Sequence, residues 1–155
     1  MKFFLGIIFV YFFCFNLLHS DEIPDDENYY KKGIELYENA DFDESFVIFF
    51  NLAKKGNKDA LFNLSNMYRE GIGTVQDFLQ ALKYTWLCSL NGNKKCRKKI
   101  KKLKEKLNEN DVKSITMEII DILENDFSEN KNPISAFKLG YWFENFSPEI
   151  DLEKA

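Results

Sequence analysis

From Tyr29 onward, apolar residues recur every three or four positions, and no stretch of convincing length alternates with period two. Tyr30, Ile34 and Tyr37 form the first stripe. Ala40-Asp41 breaks it, and Asp41 stands where an N-cap for the next helix is needed. Phe42, Phe46, Phe49, Phe50 and Ala53 then line one face, which Gly56-Asn57 ends in the manner of a left-handed cap. A third helix, over about 58–70, carries Ala60, Leu64 and Tyr68 on one stripe with Leu61 and Met67 beside it. Gly71-Ile72-Gly73-Thr74 reads as a loop, and Asp77 as the cap of a fourth helix with Ala81, Tyr84, Leu87 and Cys88 inward. Gly92-Asn93 stops that helix. Ile100, Leu103 and Leu107 form a stripe within 94–108; Val112, Ile115, Ile119, Ile120 and Leu123 form another after Asn110-Asp111. Pro133 opens the last helix at a position where its missing N–H costs nothing.

The pattern repeats itself. Asp41-Phe42 returns 36 residues later as Asp77-Phe78, Ser45 as Ala81, and Gly56-Asn57 as Gly92-Asn93. A fixed period of roughly 20–50 residues marks a repeat architecture. Each unit of such a chain buries its apolar face only by stacking on a neighbour. The expected fold is therefore all-α, an α/α solenoid of antiparallel helix pairs. Such a fold offers a surface for holding a partner more readily than a pocket for chemistry.

The first 20 residues stand apart from this pattern. Lys2 is followed by an apolar run from Phe3 to Phe15, broken by Gly6, then by the more polar Asn16 to Ser20. That is the layout of a secretory signal peptide with cleavage after Ser20. The run is shorter than the ~20 residues of a membrane span, although an uncleaved N-terminal anchor is the rival reading. Cys14 lacks the small preceding residues of a lipid-modified cysteine. Residues 21–27, with Asp21, Glu22, Asp25, Asp26 and Glu27 around Pro24, read as an acidic linker, or alternatively as an acidic docking tail.

Loss of the leader removes His19, the single histidine, and Lys2, so the net charge moves from −4 to −5. The commonest general base and metal ligand is then absent. Cys88 and Cys96, two of the three cysteines, are too few for a four-ligand zinc site. No catalytic, cofactor-binding or metal-binding residue is assigned, and no cofactor is expected.

Residues 60–92 read Ala60-x-x-x-Leu64-Ser65-x-x-Tyr68-x-x-Gly71-x-Gly73-Thr74-x-x-Asp77-x-x-x-Ala81, closing at Gly92. This resembles the Sel-one-like repeat, a relative of the tetratricopeptide repeat, with Ser65 for the family's Gly and Thr74 for its Val. The resemblance implies that Ala60, Ser65 and Ala81 let two helices cross closely. It implies that Tyr68 fills the space between them, that Gly71 and Gly73 take unusual backbone angles, and that Asp77 caps the second helix. Residues 28–57 are similar to a degenerate repeat with a tight turn at Asn39-Ala40-Asp41. Residues 94–132 resemble the helical pair that follows a last repeat. Residues 133–155 resemble the opening of a further one, with Leu139-Gly140 in the place of the Leu-Gly pair and Asp151-x-x-Lys154-Ala155 matching Asp-x-x-x-Ala.

Cys88 and Cys96 have the form Cys-x7-Cys. A secreted, cysteine-rich branch of the same family is similar in carrying such a disulfide in each repeat, and export makes the bond chemically reasonable. The alternative is two small buried residues standing in for alanine. That branch also implies a β-lactam hydrolase or binder as the alternative function; Ser45, Ser65 and Ser114 have no lysine three positions on, whereas Ser128 and Ser135 do, at Lys131 and Lys138.

Residues 94–106 hold nine cations: Lys94, Lys95, Arg97, Lys98, Lys99, Lys101, Lys102, Lys104 and Lys106. They read as a solvated face balancing an acidic chain, or as a patch for anionic lipid headgroups or an acidic partner. No aromatic residue is interleaved with them, so no nucleic-acid partner is expected. The chain is expected to be a monomeric, exported, periplasmic or secreted scaffold that binds a protein without catalysis. In this family the first helix of each repeat lines the concave face, so Phe62, Asn66 and Arg69, opposite the Ala60–Leu64–Tyr68 stripe, are the candidate partner contacts. A truncated repeat protein without independent function is the second alternative, since the chain ends one turn into a helix.

Overall fold

The computed structural model describes residues 25–146. The expected signal peptide, most of the linker and the last nine residues of the expected partial repeat lie outside the described residues. Within them are seven helices and no strand: α1 Asp26–Glu38, α2 Phe42–Lys54, α3 Lys58–Glu70, α4 Phe78–Leu90, α5 Lys94–Lys104, α6 Glu109–Asn130 and α7 Pro133–Asn145. Each of α1 to α4 packs on the next, α4 also on α5, and α6 on α7, while α6 crosses back onto α4. The fold is an all-α solenoid of helical hairpins.

Small residues set how closely the paired helices approach. A Cβ at Gly33 in α1 would stand 2.9 Å from the side chains of both Ile48 and Phe49 in α2. The Ser45 hydroxyl donates to the Gly33 carbonyl at 2.8 Å across the same crossing. In the second hairpin Ala81 is fully buried, and the hydroxyls of Ser65 and Thr85 meet at 2.7 Å. The buried hydroxyls thus satisfy each other or the backbone, as burial demands. Gly33 has no counterpart in the repeat signature read from the sequence.

The two hairpins end by one device used twice. Gly56 and Gly92 adopt φ of +80° and +87°. Asn57 then accepts the N–H groups of Asp59 and Ala60, and Asn93 that of Lys95. Asp77 caps α4 through the Gln80 N–H at 3.0 Å. Asp41 does not cap α2 as expected. Its ψ of 62° departs from the extended backbone that Asn57 and Asp77 use to aim a side chain at the helix start. The turn is closed by the backbone instead, the Asp41 N–H donating to the Leu36 carbonyl at 2.9 Å past Ala40 at φ +65°.

Two boundaries also shift. α1 takes in Asp26 and Glu27, assigned above to the linker, because carboxylates are favoured in a first helical turn and these two reach Lys55 and Lys31. α6 starts at Glu109, before Asn110-Asp111, because Asn108 accepts the Asp111 N–H at 2.9 Å.

Two cores result. Phe49, Leu52, Leu61, Leu64 and Met67 centre the first, and Leu82, Trp86, Ile119 and Trp142 the second. Tyr68 packs against both. Its ring stacks on Tyr84 at 5.5 Å and meets Phe46 edge-on at 5.3 Å, tying α2, α3 and α4 together. The α6–α7 hairpin is fastened by Trp142, which sets its ring edge-on to Trp86 at 4.8 Å with both side chains buried. Gly140 is not a close-crossing residue there, since a Cβ on it would meet nothing within 4 Å. The Cys88 and Cys96 sulfurs are 1.98 Å apart, a disulfide joining the end of α4 to the start of α5.

The loop after α3 depends on Gly73. Its φ is +63°, and a Cβ would lie 2.3 Å from the Phe42 carbonyl oxygen, which is backbone of the preceding hairpin. Gly73→Ala should therefore lower stability by more than ~1 kcal/mol in urea denaturation. Gly140→Ala, in an open helical position, should be neutral or stabilising by up to about 1 kcal/mol. The reverse order would mean that the loop does not seat against α2. Reduction of the Cys88–Cys96 bond should cost about 2–3 kcal/mol by loop entropy, read as a lower urea midpoint with the far-ultraviolet helical signal retained.

Candidate functional site

α5 is built against ordinary helix electrostatics. Its sequence, Lys94 to Lys104, holds eight cations and no carboxylate. Lys94 and Lys95 lie in the first turn, beside the positive end of the helix dipole. Like charges recur at i and i+4, as in Lys94/Lys98 and Lys98/Lys102, a spacing that destabilises a helix. The helix is held by other means. Cys96 tethers its start, and Ile100 and Leu103 enter the second core.

α5 packs on α4, and from there its lysine side chains reach over the outer face of α3. The Lys99 ammonium sits 4.1 Å above the centre of the Phe62 ring, and Lys95 reaches the same ring at 5.9 Å. Both are cation–π distances. Lys99 also donates to the Asn66 side-chain oxygen at 2.6 Å. Arg69 pairs with Glu70 along α3, while its Nε is buried without an acceptor among the described residues. Phe62, Asn66 and Arg69 thus do lie together on one face, and all three are half-buried. The Lys95 and Lys99 side chains of α5 rest on the part of this face formed by Phe62 and Asn66. Burial pulls the Lys99 ammonium below the ordinary lysine range, and the neighbouring Arg69 charge adds to this.

The other cations of this segment point outward. Lys94, Lys98, Lys101, Lys102, Lys104 and Lys106 are exposed. None of the nine forms a salt bridge among the described residues. Arg97 rests over the Tyr141 ring at 6.0 Å and, with Lys101 and Lys104, edges an open hollow of about 600 Å³ floored by Trp86, Ile100 and Phe146. The contact that covers Phe62 had a sequence signal. Lys95 and Lys99 are spaced i, i+4 beside the Cys96–Ile100–Leu103 stripe, on the flank that turns toward the preceding hairpin.

The repeat-signature residues have structural duties. Ala60, Leu64 and Ala81 are fully buried, Tyr68 bridges two cores, Gly71 takes φ +71° at the end of α3, and Asp77 caps α4. Ser45 and Ser65 spend their hydroxyls at helix crossings. Among the described residues no group of three or more His, Cys, Asp or Glu side chains stands ready for a metal ion. No helix among them is long and apolar enough to cross a membrane. What the arrangement presents is a row of exposed cations along α5.

Comparison with family models, with characterised proteins and with solved structures gives no match.

The Tyr68–Tyr84 stack gives a pH signature. Burial pushes the Tyr84 phenol up to about 12, with the Tyr68 and Glu118 charges adding to it. An unfolded tyrosine titrates near 10. The folded chain therefore holds this proton more tightly, and stability is full below about pH 10 and falls as pH rises toward 12. Absorbance at the tyrosinate band should show one phenol ionising well after the solvated ones. Tyr84→Phe should remove that late step; its persistence in the variant would place the buried phenol elsewhere.

Proposed function

We propose that this protein is an exported, non-enzymatic binding scaffold of the Sel-one-like repeat type, which takes an acidic protein partner on the face where α5 overlies α3. The observation that carries the reading is the unneutralised charge of α5. Eight cations on one helix, with no carboxylate and no ion pair among the described residues, are costly in the free protein. Features that work against local stability are expected where function requires them. The solenoid of hairpins supports the repeat reading, as does the register of Ala60, Ser65, Gly73, Asp77 and Ala81 with their packing roles. The Cys88–Cys96 bond supports an oxidising compartment, in keeping with a cleavable leader over residues 1–20.

Phe62, Asn66 and Arg69 enter this reading as a platform. Phe62 and Asn66 hold Lys95 and Lys99 in place, Arg69 adds a like charge beside them, and the outward cations Lys98, Lys101 and Lys102 meet the partner. The partner is acidic and, in an exported protein, belongs to the envelope or the exterior. Capture from the native envelope fraction with the wild-type protein and with a Lys98→Gln/Lys101→Gln/Lys102→Gln variant tests it. The variant should fold as before and lose most of the captured protein. Raising salt from about 0.1 M to about 1 M, which shortens electrostatic screening from roughly 10 Å to roughly 3 Å, should release it from the wild type. Capture indifferent to both changes would remove α5 as the binding surface. Export has its own check: the protein isolated from its host should begin at or near Asp21, and an intact Met1 on cytosolic protein contradicts it.

A further inference from the structure

A second cation-bearing site lies away from α5, on the side of the solenoid formed by α2 and α4. There the α6–α7 hairpin leaves a cleft of about 480 Å³. This is within the size range of small-ligand sites, which are mostly apolar with a few convergent polar groups. Leu61, Tyr84 and Leu87 form its apolar lining, and Lys54, Lys55, Lys83 and Lys138 line it as well.

Those four cations differ in how they are balanced, and Lys55 pairs with Asp26 at 2.5 Å. Lys83 pairs with Glu118 at 2.5 Å. Lys54, at the end of α2, lies over the Phe50 ring and forms no salt bridge among the described residues. Lys138 is half-buried, and among the described residues its one hydrogen bond is to a neutral acceptor, the Asn91 side-chain oxygen at 2.8 Å. The nearby carboxylate does not close a pair with it. Asp126 takes hydrogen bonds from Ser135, Asn130 and Asn132 and stands beyond salt-bridge distance from Lys138. Asp126 favours the Lys138 charge through space, but a half-buried ammonium with no carboxylate in direct contact is still expensive, and an anion joining it would offset that cost. Burial accordingly pulls the Lys138 ammonium below the ordinary lysine range.

We propose that this cleft binds a small amphiphilic monoanion, a carboxylate on an apolar body, with Lys138 and Lys54 meeting the charged group and Leu61, Tyr84 and Leu87 covering the apolar part. The charge supports a monoanion: Lys54 and Lys138 form no salt bridge among the described residues, and the Asp126 carboxylate on the cleft wall opposes a second negative group. The volume limits the body to a small molecule.

Decanoate is the probe, with decanamide as its uncharged counterpart. Both are titrated into the full chain while the methyl resonances of Leu61, Leu87 and Ile122 are followed by NMR. Decanoate should shift these resonances saturably with one molecule bound per chain, and decanamide should bind at least tenfold more weakly. Lys138→Met keeps the length of the side chain and removes a poorly compensated charge, so it should fold as the wild type does; it should weaken decanoate at least tenfold and leave decanamide unchanged. The α5 variant used for partner capture should bind decanoate as the wild type does, which separates this site from that surface. Equal affinity for the acid and the amide, an unchanged decanoate affinity in Lys138→Met, or shifts that follow the α5 lysines would each overturn the proposal.

Discussion

The structure depends on how closely the two helices of a hairpin approach. At the first crossing there is no room for a side chain on Gly33. At the second, Ser65 and Thr85 fit by exchanging a hydrogen bond beside the buried Ala81. Close approach brings large side chains on either flank into one core, so that Phe49, Leu52, Leu61 and Leu64 exclude water together. Tyr68 then extends the packing from one hairpin to the next, with one face of its ring on Tyr84 and its neighbour Phe46 in the preceding unit. Aromatic pairs at these separations add to the area they bury. A solenoid gains most of its stability in such nearest-neighbour contacts, and the path of every later helix follows from them.

α5 shows what this rigidity accomplishes. Left alone, a helix of eight cations would be a poor helix. Here its start is bonded to the end of α4, its apolar stripe is buried, and two of its ammonium groups rest on the Phe62 ring. The remaining cations are thereby held in one outward array. The α6–α7 hairpin, clasped through Trp142 and Trp86, produces the second concentration of charge by roofing the cleft beside Tyr84. Both binding proposals rest on the same physical condition, positive charge that the fold holds in place and does not neutralise.

Much of this was legible in local pattern. The ends of α2 and α4 follow from glycine and its following cap at Gly56-Asn57 and Gly92-Asn93, because a left-handed residue and a side-chain acceptor are needed where orphan N–H and C=O groups begin. The 36-residue echo of Asp41-Phe42 in Asp77-Phe78 located both hairpins. What escaped was non-local. Gly33 stands in a polar stretch, and only the approach of Ile48 and Phe49 shows why it has no side chain. Asp41 has the right residue type for a cap and the wrong backbone angle. Phe62, Asn66 and Arg69 were correctly grouped on one face, yet nothing local to 58–70 says that α5 will cover it. The Cys88–Cys96 bond, and the entry of Ile100 and Leu103 into the second core, decide that.

The placement of α5 on α3 is the claim on which the account turns, and the side chain of Lys99 reports it directly. Protons on a methylene held above an aromatic ring are shifted upfield by the ring current. Proton NMR of the folded chain should show the Lys99 ε-methylene displaced upfield from the other lysines, with nuclear Overhauser contacts to the Phe62 ring. An ordinary Lys99 resonance with no contact to Phe62 would mean that α5 does not lie on α3, that the face of Phe62, Asn66 and Arg69 is open, and that the basic array is not held as described.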